Sequence, residues 1–353
     1  MKILDILSGE SESMDRRSFL KLSGLVSLGM ASAGFIPVSA EAIKFDRKNY
    51  KVSETKLAMG TLVSMTLIHQ SRDQAEQAMG LAFQEINRLT GLLNRFDNQT
   101  AVGELNQAGS LKDIPPEMIE VVAGALYHYR ISHGAFDITV KPLIDLFEEK
   151  LGREKQELPT EKETEQALAL VGSDKILLRE GTIHFQKPGM GITLDGIAKG
   201  YVVDRVSQLL SKHKVGNHLI NAGGDIRTKG DKGEDKPWTI AIEDPLKRNH
   251  YPDIIQMRDG AVATSGNYEI FYDREKMFHH IVDPHSGLSP SLKTSVSVQA
   301  ETTMEADALS TTVFVMKPGK GIEFIDARPR CEGLVVAKDG TLLKSRGWKS
   351  AAK

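Results

Sequence analysis

Cysteine is almost missing from this chain. Cys331 is the only one in 353 residues, which excludes an intramolecular disulfide, a cysteine-ligated zinc site and a lipid-modified cysteine at the start of a mature chain. Excess charge is missing as well: the formal net charge is -2, so nothing in the balance selects a nucleic acid, and at most peripheral contact with a membrane is expected. Long apolar runs are lacking too. The stretch from Leu22 to Val38 is broken by Gly24, Gly29, Gly34 and Pro37 and is too weakly hydrophobic for a good bilayer span. No glycine-rich dinucleotide fingerprint and no phosphate-cradling loop ending in Gly-Lys-Ser/Thr is present, so any bound nucleotide must be held by another device.

What is present is an ordinary soluble composition, 40% hydrophobic and 26% charged, enough for a substantial core. The N-terminus carries more information. Asp15-Arg16-Arg17-Ser18-Phe19-Leu20-Lys21 is a twin-arginine sequence, the mild apolar stretch follows it, and Val38-Ser39-Ala40 offers a small-residue cleavage site. Residues 1–40 are therefore expected to be an export signal, placing the protein in the periplasm or another extracytoplasmic space. The fold is sought in residues 44–353.

Apolar residues alternate around Val63, Met65 and Leu67, which predicts a strand over Lys56 to His69. Ser71 with Gln74 opens an amphipathic helix toward Leu93, and Pro115-Pro116 opens a second toward Gly134. The charge-rich stretch Glu148 to Glu165 reads as a solvated helical excursion. Glu180-Gly181 marks a hairpin turn, Ile197 to Leu210 a helix. Short strands are expected at His218–Ile220, Trp238–Ile242, Ile254–Met257, Phe278–Val282 and Val296–Val298. Thr302 with Glu305 caps a helix over Ala306 to Met316, and a last hairpin turns at Asp339-Gly340. Strands and helices mix without a βαβ beat, which predicts one α+β domain.

Several segments have residue types suited to chemistry. Asp307 and Thr311, four apart on a helix, share a face and offer hard oxygen donors of the kind magnesium takes. The same pair also fits a plain polar stripe, but a carboxylate among Ala306, Ala308 and Leu309 is expected to be partly buried and so to need a partner or a metal. His279-His280-Ile281-Val282-Asp283-Pro284-His285 brings three histidines to a strand end and turn. Neighbouring strand residues point opposite ways, so only one of His279 and His280 can face a site, and paired zinc ligation is disfavoured. Thr193-Leu194-Asp195-Gly196-Ile197-Ala198-Lys199 leads into a helix whose N-terminus favours an anion. Asn221 to Asp225, Gly134 to Asp137 and Thr264 to Asn267 each have a turn or loop explanation when taken singly.

Taken together and in order, these segments resemble the FAD:protein FMN transferases, the ApbE family. The matching stretches are Ala58 to Thr61, Phe96 to Asn106, Gly134 to Asp137, Asp195 to Tyr201, Asn221 to Asp225, Glu243 to Pro245, Thr264 to Gly266, His280 to Pro284 and Ala306 to Thr311. The resemblance implies an ApbE-like, T-fold-like domain of mainly antiparallel strands and packed helices. It implies that Met59, Phe96, Ala135, Phe136, Asp137, Thr193, Lys199 and Ile281 line an FAD site. A magnesium ion would be held by the Gly196 carbonyl, Asp307 and Thr311, with His280 as the catalytic histidine. Some relatives have tyrosine in place of Phe96, and others alanine or serine in place of Gly196. The activity so implied is transfer of FMN from FAD to a serine or threonine of an acceptor flavoprotein subunit in a membrane or exported electron-transfer system. Two alternatives stay open at this point, a magnesium-dependent FAD pyrophosphatase and a non-catalytic exported flavin-binding protein. No acceptor-type Ser/Thr-Gly-Ala-Thr sequence occurs here, so the target would be another protein.

Overall fold

The alternation that predicts a strand before His69 belongs to two strands, not one. In a computed structural model, residues 50–58 and 61–69 form a hairpin whose turn, Met59-Gly60, takes left-handed φ values of 53° and 71°. Such values match the twist of two-residue hairpin turns. The structure describes residues 41–46, 48–151, 157–245, 251–267 and 278–351. The proposed signal segment lies outside the described residues.

The strands are β1 (Glu41–Lys44), β2 (Tyr50–Ala58), β3 (Thr61–His69), β4 (Ser110–Leu111), β5 (Ile176–Arg179), β6 (Thr182–Phe185) and β7 (Asn217–Ala222). They continue as β8 (Asp225–Lys229), β9 (Trp238–Ile242), β10 (Asp253–Met257), β11 (Gly260–Gly266), β12 (Lys293–Ala300), β13 (Glu332–Ala337) and β14 (Leu342–Lys344). The helices are α1 (Arg72–Leu93), α2 (Ala101–Ala108), α3 (Pro116–Ile131), α4 (Lys141–Leu151), α5 (Glu161–Leu168), α6 (Ala198–Lys212), α7 (Thr303–Val315) and α8 (Pro318–Asp326). Among the described residues no helix is long and apolar enough to cross a membrane.

Nine strands form one antiparallel sheet in the order β1-β2-β3-β7-β8-β11-β12-β13-β14. Side chains alternate between its faces, and both faces are covered. Val63, Met65 and Leu67 of β3, with Ile220 and Ala222 of β7, pack under α1, α3 and α6. Further along, Ala261, Ala263, Val296, Val298 and Val335 pack under α7 and α8. On the reverse face, Ile68, Leu219, Val262 and Leu334 meet the β9–β10 ribbon through Trp238, Ile240, Ile242 and Ile255. Each such side chain contributes about 1.5–3 kcal/mol on burial, so the sheet is a rigid base for the loops at its ends.

Several expected elements form as read. Ser71 caps α1 by accepting from the Gln74 amide at 3.3 Å, Thr302 caps α7 through the Glu305 amide at 3.2 Å, and Glu180-Gly181 turns β5 into β6. Two do not. Residues 278–282 make only an isolated bridge at His279, because Pro284 and the Asp283 turn leave no ladder to extend. Thr264 to Gly266 is the end of β11, not a loop, paired residue for residue with β12. Polar residues there do not preclude a strand, since Thr264 and Ser297 hydrogen-bond across it at 2.7 Å.

Candidate active site

Five segments far apart in the chain, with Ile144 of α4, line one cavity: the turn after α3, the entry to α6, the end of β11, the 280–284 segment and α7. Each is fixed by a local device. In the first, Ser132 Oγ accepts from the Phe136 amide at 3.0 Å. The Asp137 carboxylate accepts from the Thr139 amide (2.8 Å) and hydroxyl (2.6 Å) and from the Ser173 amide (3.1 Å) and hydroxyl (2.6 Å). Burial pushes the Asp137 carboxyl up, and those hydrogen bonds oppose the shift. Its side chain is thus committed to holding the loop.

The second segment is held by Asn106, whose side-chain amide donates to the Ile192 carbonyl (3.0 Å) and accepts from the Ile192 amide (2.7 Å). The Thr193 amide then reaches the Ile138 carbonyl at 2.8 Å, tying the first two segments together. A turn on Leu194 starts α6. Gly196 sits where a Cβ would lie 3.0 Å from Thr311 Oγ1 and 3.4 Å from the Phe136 ring. Its lack of a side chain lets backbone and hydroxyl come together.

Asp307 is the electrostatic centre of the cavity. It is 4% exposed, and its Oδ2 accepts from the Gly200 amide in the first turn of α6 at 3.0 Å. That amide is one of the donors a helix start leaves unpaired. Burial, then the neighbouring charge of Asp225, pushes the Asp307 carboxyl well above the usual range, while Lys199 opposes this. Lys199 Nζ lies 3.2 Å from Asp225 Oδ2, and Asp225 is itself 1% exposed. Two buried carboxylates therefore share one ammonium. On the next turn, Thr311 Oγ1 is 3.2 Å from Ser265 Oγ, which also contacts Ser310 at 2.8 Å.

The two adjacent histidines have different surroundings, although the strand from which their separation was expected does not form. His280 lines the cavity. His279 is buried against Phe314, its Nε2 2.9 Å from the Pro290 carbonyl and its Nδ1 accepting from the Ile281 amide at 3.3 Å. The third, His285, is exposed and caps its own turn with Asp283.

Of the twelve residues singled out in the sequence, ten line the cavity: Ala135, Phe136, Asp137, Thr193, Gly196, Lys199, His280, Ile281, Asp307 and Thr311. Met59 and Phe96 do not. Met59 is at the β2–β3 turn, half-buried against the main core. Phe96 is 72% exposed on the loop after α1, and is joined to the cavity through Arg95. Sequence reasoning passed over Val140, Ile144 and Val315, which complete the apolar wall; their only signal is hydrophobicity, which they share with the core. It also gave no role to Asp225, for which an acid directly after a glycine pair in an apolar hairpin was the available signal.

The donor set suits a hard cation. Among the described residues no three His, Cys, Asp or Glu side chains converge as a metal cluster. Asp307, the Thr311 hydroxyl and the residue 196 backbone bring oxygen donors to the same cavity, with residue 196 against Thr311, and the two-carboxylate, one-lysine balance leaves room for positive charge.

A sheet of this order carrying such a cavity has close counterparts. Residues 59–335 match the model of the ApbE family, and the chain belongs to that family. It is 32% identical over 262 residues, 72% of this chain and 74% of the other, to the FAD:protein FMN transferase of Haemophilus influenzae. With that of Escherichia coli K12 it shares 30% over 274 residues, 73% of this chain and 76% of the other. The crystal structure of the ApbE protein of Thermotoga maritima superposes with a TM-score of 0.77 at 30% identity, covering 84% of this chain and 97% of that one. The flavin transferase ApbE of Vibrio cholerae gives 0.72 at 26%, covering 87% and 98%.

Proposed function

We propose that this protein is a magnesium-dependent FAD:protein FMN transferase, exported by the twin-arginine route and acting on a redox protein outside the cytoplasm. The observation that carries the reading is that Asp307, Thr311 and residue 196 line the same cavity as His280, with residue 196 close against Thr311. Asp307, the Thr311 hydroxyl and the Gly196 carbonyl would hold magnesium. When bound, the ion supplies positive charge to the pyrophosphate oxygens of FAD. Family membership and relatives named for this activity support the same reading.

The chain's own groups have separable tasks. Phe136, Ile281 and Val282 offer an apolar wall for the flavin and keep water from the phosphorus. Lys199, steadied by Asp225, presents an ammonium to the phosphates. His280 accepts the proton of the acceptor's serine or threonine hydroxyl as that oxygen bonds to the flavin-side phosphorus. The bond from that phosphorus to the bridging oxygen breaks, and AMP leaves with the electron pair. The product is a phosphoester-linked flavin on the acceptor.

The test incubates the mature protein with FAD, magnesium and an acceptor domain. Flavin on the acceptor supports the proposal, free FMN with AMP marks a pyrophosphatase instead, and unchanged FAD marks a binding protein. Asp307→Ala should lower transfer by at least about 10²-fold and weaken magnesium binding by calorimetry; near-normal turnover in magnesium-limited buffer would remove Asp307 from this role. For export, replacing Arg16 and Arg17 by lysine should strand the precursor in the cytoplasm, and normal periplasmic accumulation of that variant refutes the assignment.

A further inference from the structure

Phe96 is a large ring left in solvent beside the cavity, and what lies beneath it is unusual. The Arg95 guanidinium sits 4.0 Å from the Phe96 ring centroid. Its Nε donates to Asp195 Oδ2 at 3.0 Å and its Nη2 to Glu148 Oε1 at 3.5 Å. The arginine side chain is only 8% exposed, whereas the ring above it is 72% exposed. Asp195 lines the cavity and directly precedes Gly196. The arginine therefore stands between the ring and the cavity wall, backing one face of Phe96 and gripping the α6 entry with its edge.

We propose that Arg95 is a positioning residue for FAD: it fixes the ring of Phe96, a residue the family resemblance already assigns to the FAD site, so that its open face is held ready for the substrate. This rests on the functional reading above. A guanidinium under an aromatic face is attracted by the ring quadrupole, and its planar fork fixes direction where an ammonium would not. An unsupported phenyl at this exposure would sample several rotamers, and ordering it would weaken binding of a flat ligand. The backbone does not depend on this contact. The Phe96 amide donates to Asn94 Oδ1 at 3.0 Å, and Thr100 Oγ1 donates to the Asn94 carbonyl at 2.5 Å. Loss of the guanidinium should then free the ring without undoing the loop.

The experiment compares wild type, Arg95→Met, Arg95→Lys, Phe96→Leu and the Arg95→Met/Phe96→Leu double variant. Quenching of FAD fluorescence gives Kd, steady-state flavinylation gives KM and kcat, and the thermal midpoint reports folding. Arg95→Met should raise Kd and KM for FAD about tenfold, the scale of one lost aromatic or ionic contact, with kcat within about twofold. Arg95→Lys keeps the charge but not the flat face and should fall between, roughly threefold up. In the Phe96→Leu background, Arg95→Met should add less than about twofold, because the arginine acts through the ring. Should Arg95→Met fold poorly, the Arg95→Lys value and its loss of effect in the Phe96→Leu background decide the matter. Unchanged FAD affinity in the arginine variants, fully additive effects in the double variant, or a fall in kcat at constant KM overturns the proposal. Failure of wild type itself to bind FAD would instead overturn the functional reading beneath it.

Discussion

Gly200→Ala should damage this protein in a way its chemistry does not suggest, since alanine is the better helix former by about 1 kcal/mol. Gly200 is in the first turn of α6, where that helix crosses the start of α7. A Cβ built on it would meet the Thr303 backbone, 2.6 Å from its carbonyl carbon and closer still to the oxygen, and would lie 2.8 Å from Met304 Cα. Neither neighbour is a flexible side-chain end, so the two helices must separate, by roughly 1 Å to reach ordinary contact. Overpacking of this kind costs about 1–3 kcal/mol. Set against the propensity gain, the net loss is up to about 2 kcal/mol, a fall of up to about 3 °C in thermal midpoint for a domain of this size. Activity should suffer more. The Gly200 amide is the donor to Asp307 at 3.0 Å, and an error of about 1 Å at a reacting centre can cost about 10²-fold. Gly80→Ala is the control, because that glycine lies on the exposed face of α1 with nothing within 4 Å of its Cβ position; it should stabilise by about 0.5–1 kcal/mol and leave turnover alone. Differential scanning calorimetry and acceptor flavinylation measure both. A Gly200→Ala enzyme with wild-type midpoint and turnover would refute the argument that backbone contact at this crossing sets Asp307.

Two further outcomes concern the histidines. His280→Ala should lose about 10²–10⁴-fold in kcat while still binding FAD. His279→Ala should keep more activity but lose stability, because that ring is packed on Phe314; equal loss of binding and catalysis in His280→Ala would make it a structural residue. Burial holds His128 and His218 down near pH 4, so their unfolded forms, titrating near 6.5, take up protons first. Stability should be complete above about pH 6.5 and fall as pH drops toward 4, by up to about 3 kcal/mol for each histidine. Urea midpoints across that range should decline less steeply in His128→Phe, and parallel slopes would exclude His128 as a source.

Much of the fold was legible because its signals are local. Ser71, Thr302 and Pro116 mark helix starts by chemistry that acts within one turn, and the pair Glu180-Gly181 specifies a hairpin by its φ values alone. Misreadings arose where a partner strand decided the outcome. Met59 at φ 53° is a turn that propensity does not favour, kept because Leu57 and Leu62, Ala58 and Thr61 pair across it. Thr264 and Ser265 carry no apolar signal, yet β12 supplies the ladder and Ser297, Ser310 and Thr311 supply the side-chain bonds. The short α2 has local signals that were passed over, since Thr100 caps it by accepting from the Gly103 amide at 3.0 Å and Gly109 ends it at φ 69°, and its anchor is a close approach. A Cβ on Gly103 would meet the Asp97 carbonyl and lie 2.8 Å from Asn98 Cα, a fit visible only once the loop is folded.

The same distinction explains the site. Spacing alone placed Asp307 and Thr311 on one face, a property of one element, whereas His279 and His280 differ in surroundings without the strand that was expected to separate them. What spacing could not supply is the joining of elements, and here that joining is done by side chains standing in for backbone. Asn106 pairs with Ile192 as a strand would, Asp137 gathers four donors from two loops, and Asp307 receives an amide that α6 leaves unpaired. Each of these groups is polar and at least partly buried, the combination costliest to leave unsatisfied. A cavity framed this way cannot loosen at one wall without stranding a donor or acceptor at another. That coupling lets loops and helix ends, normally the mobile parts of a fold, hold Asp307, Thr311 and His280 in one arrangement before any ligand arrives.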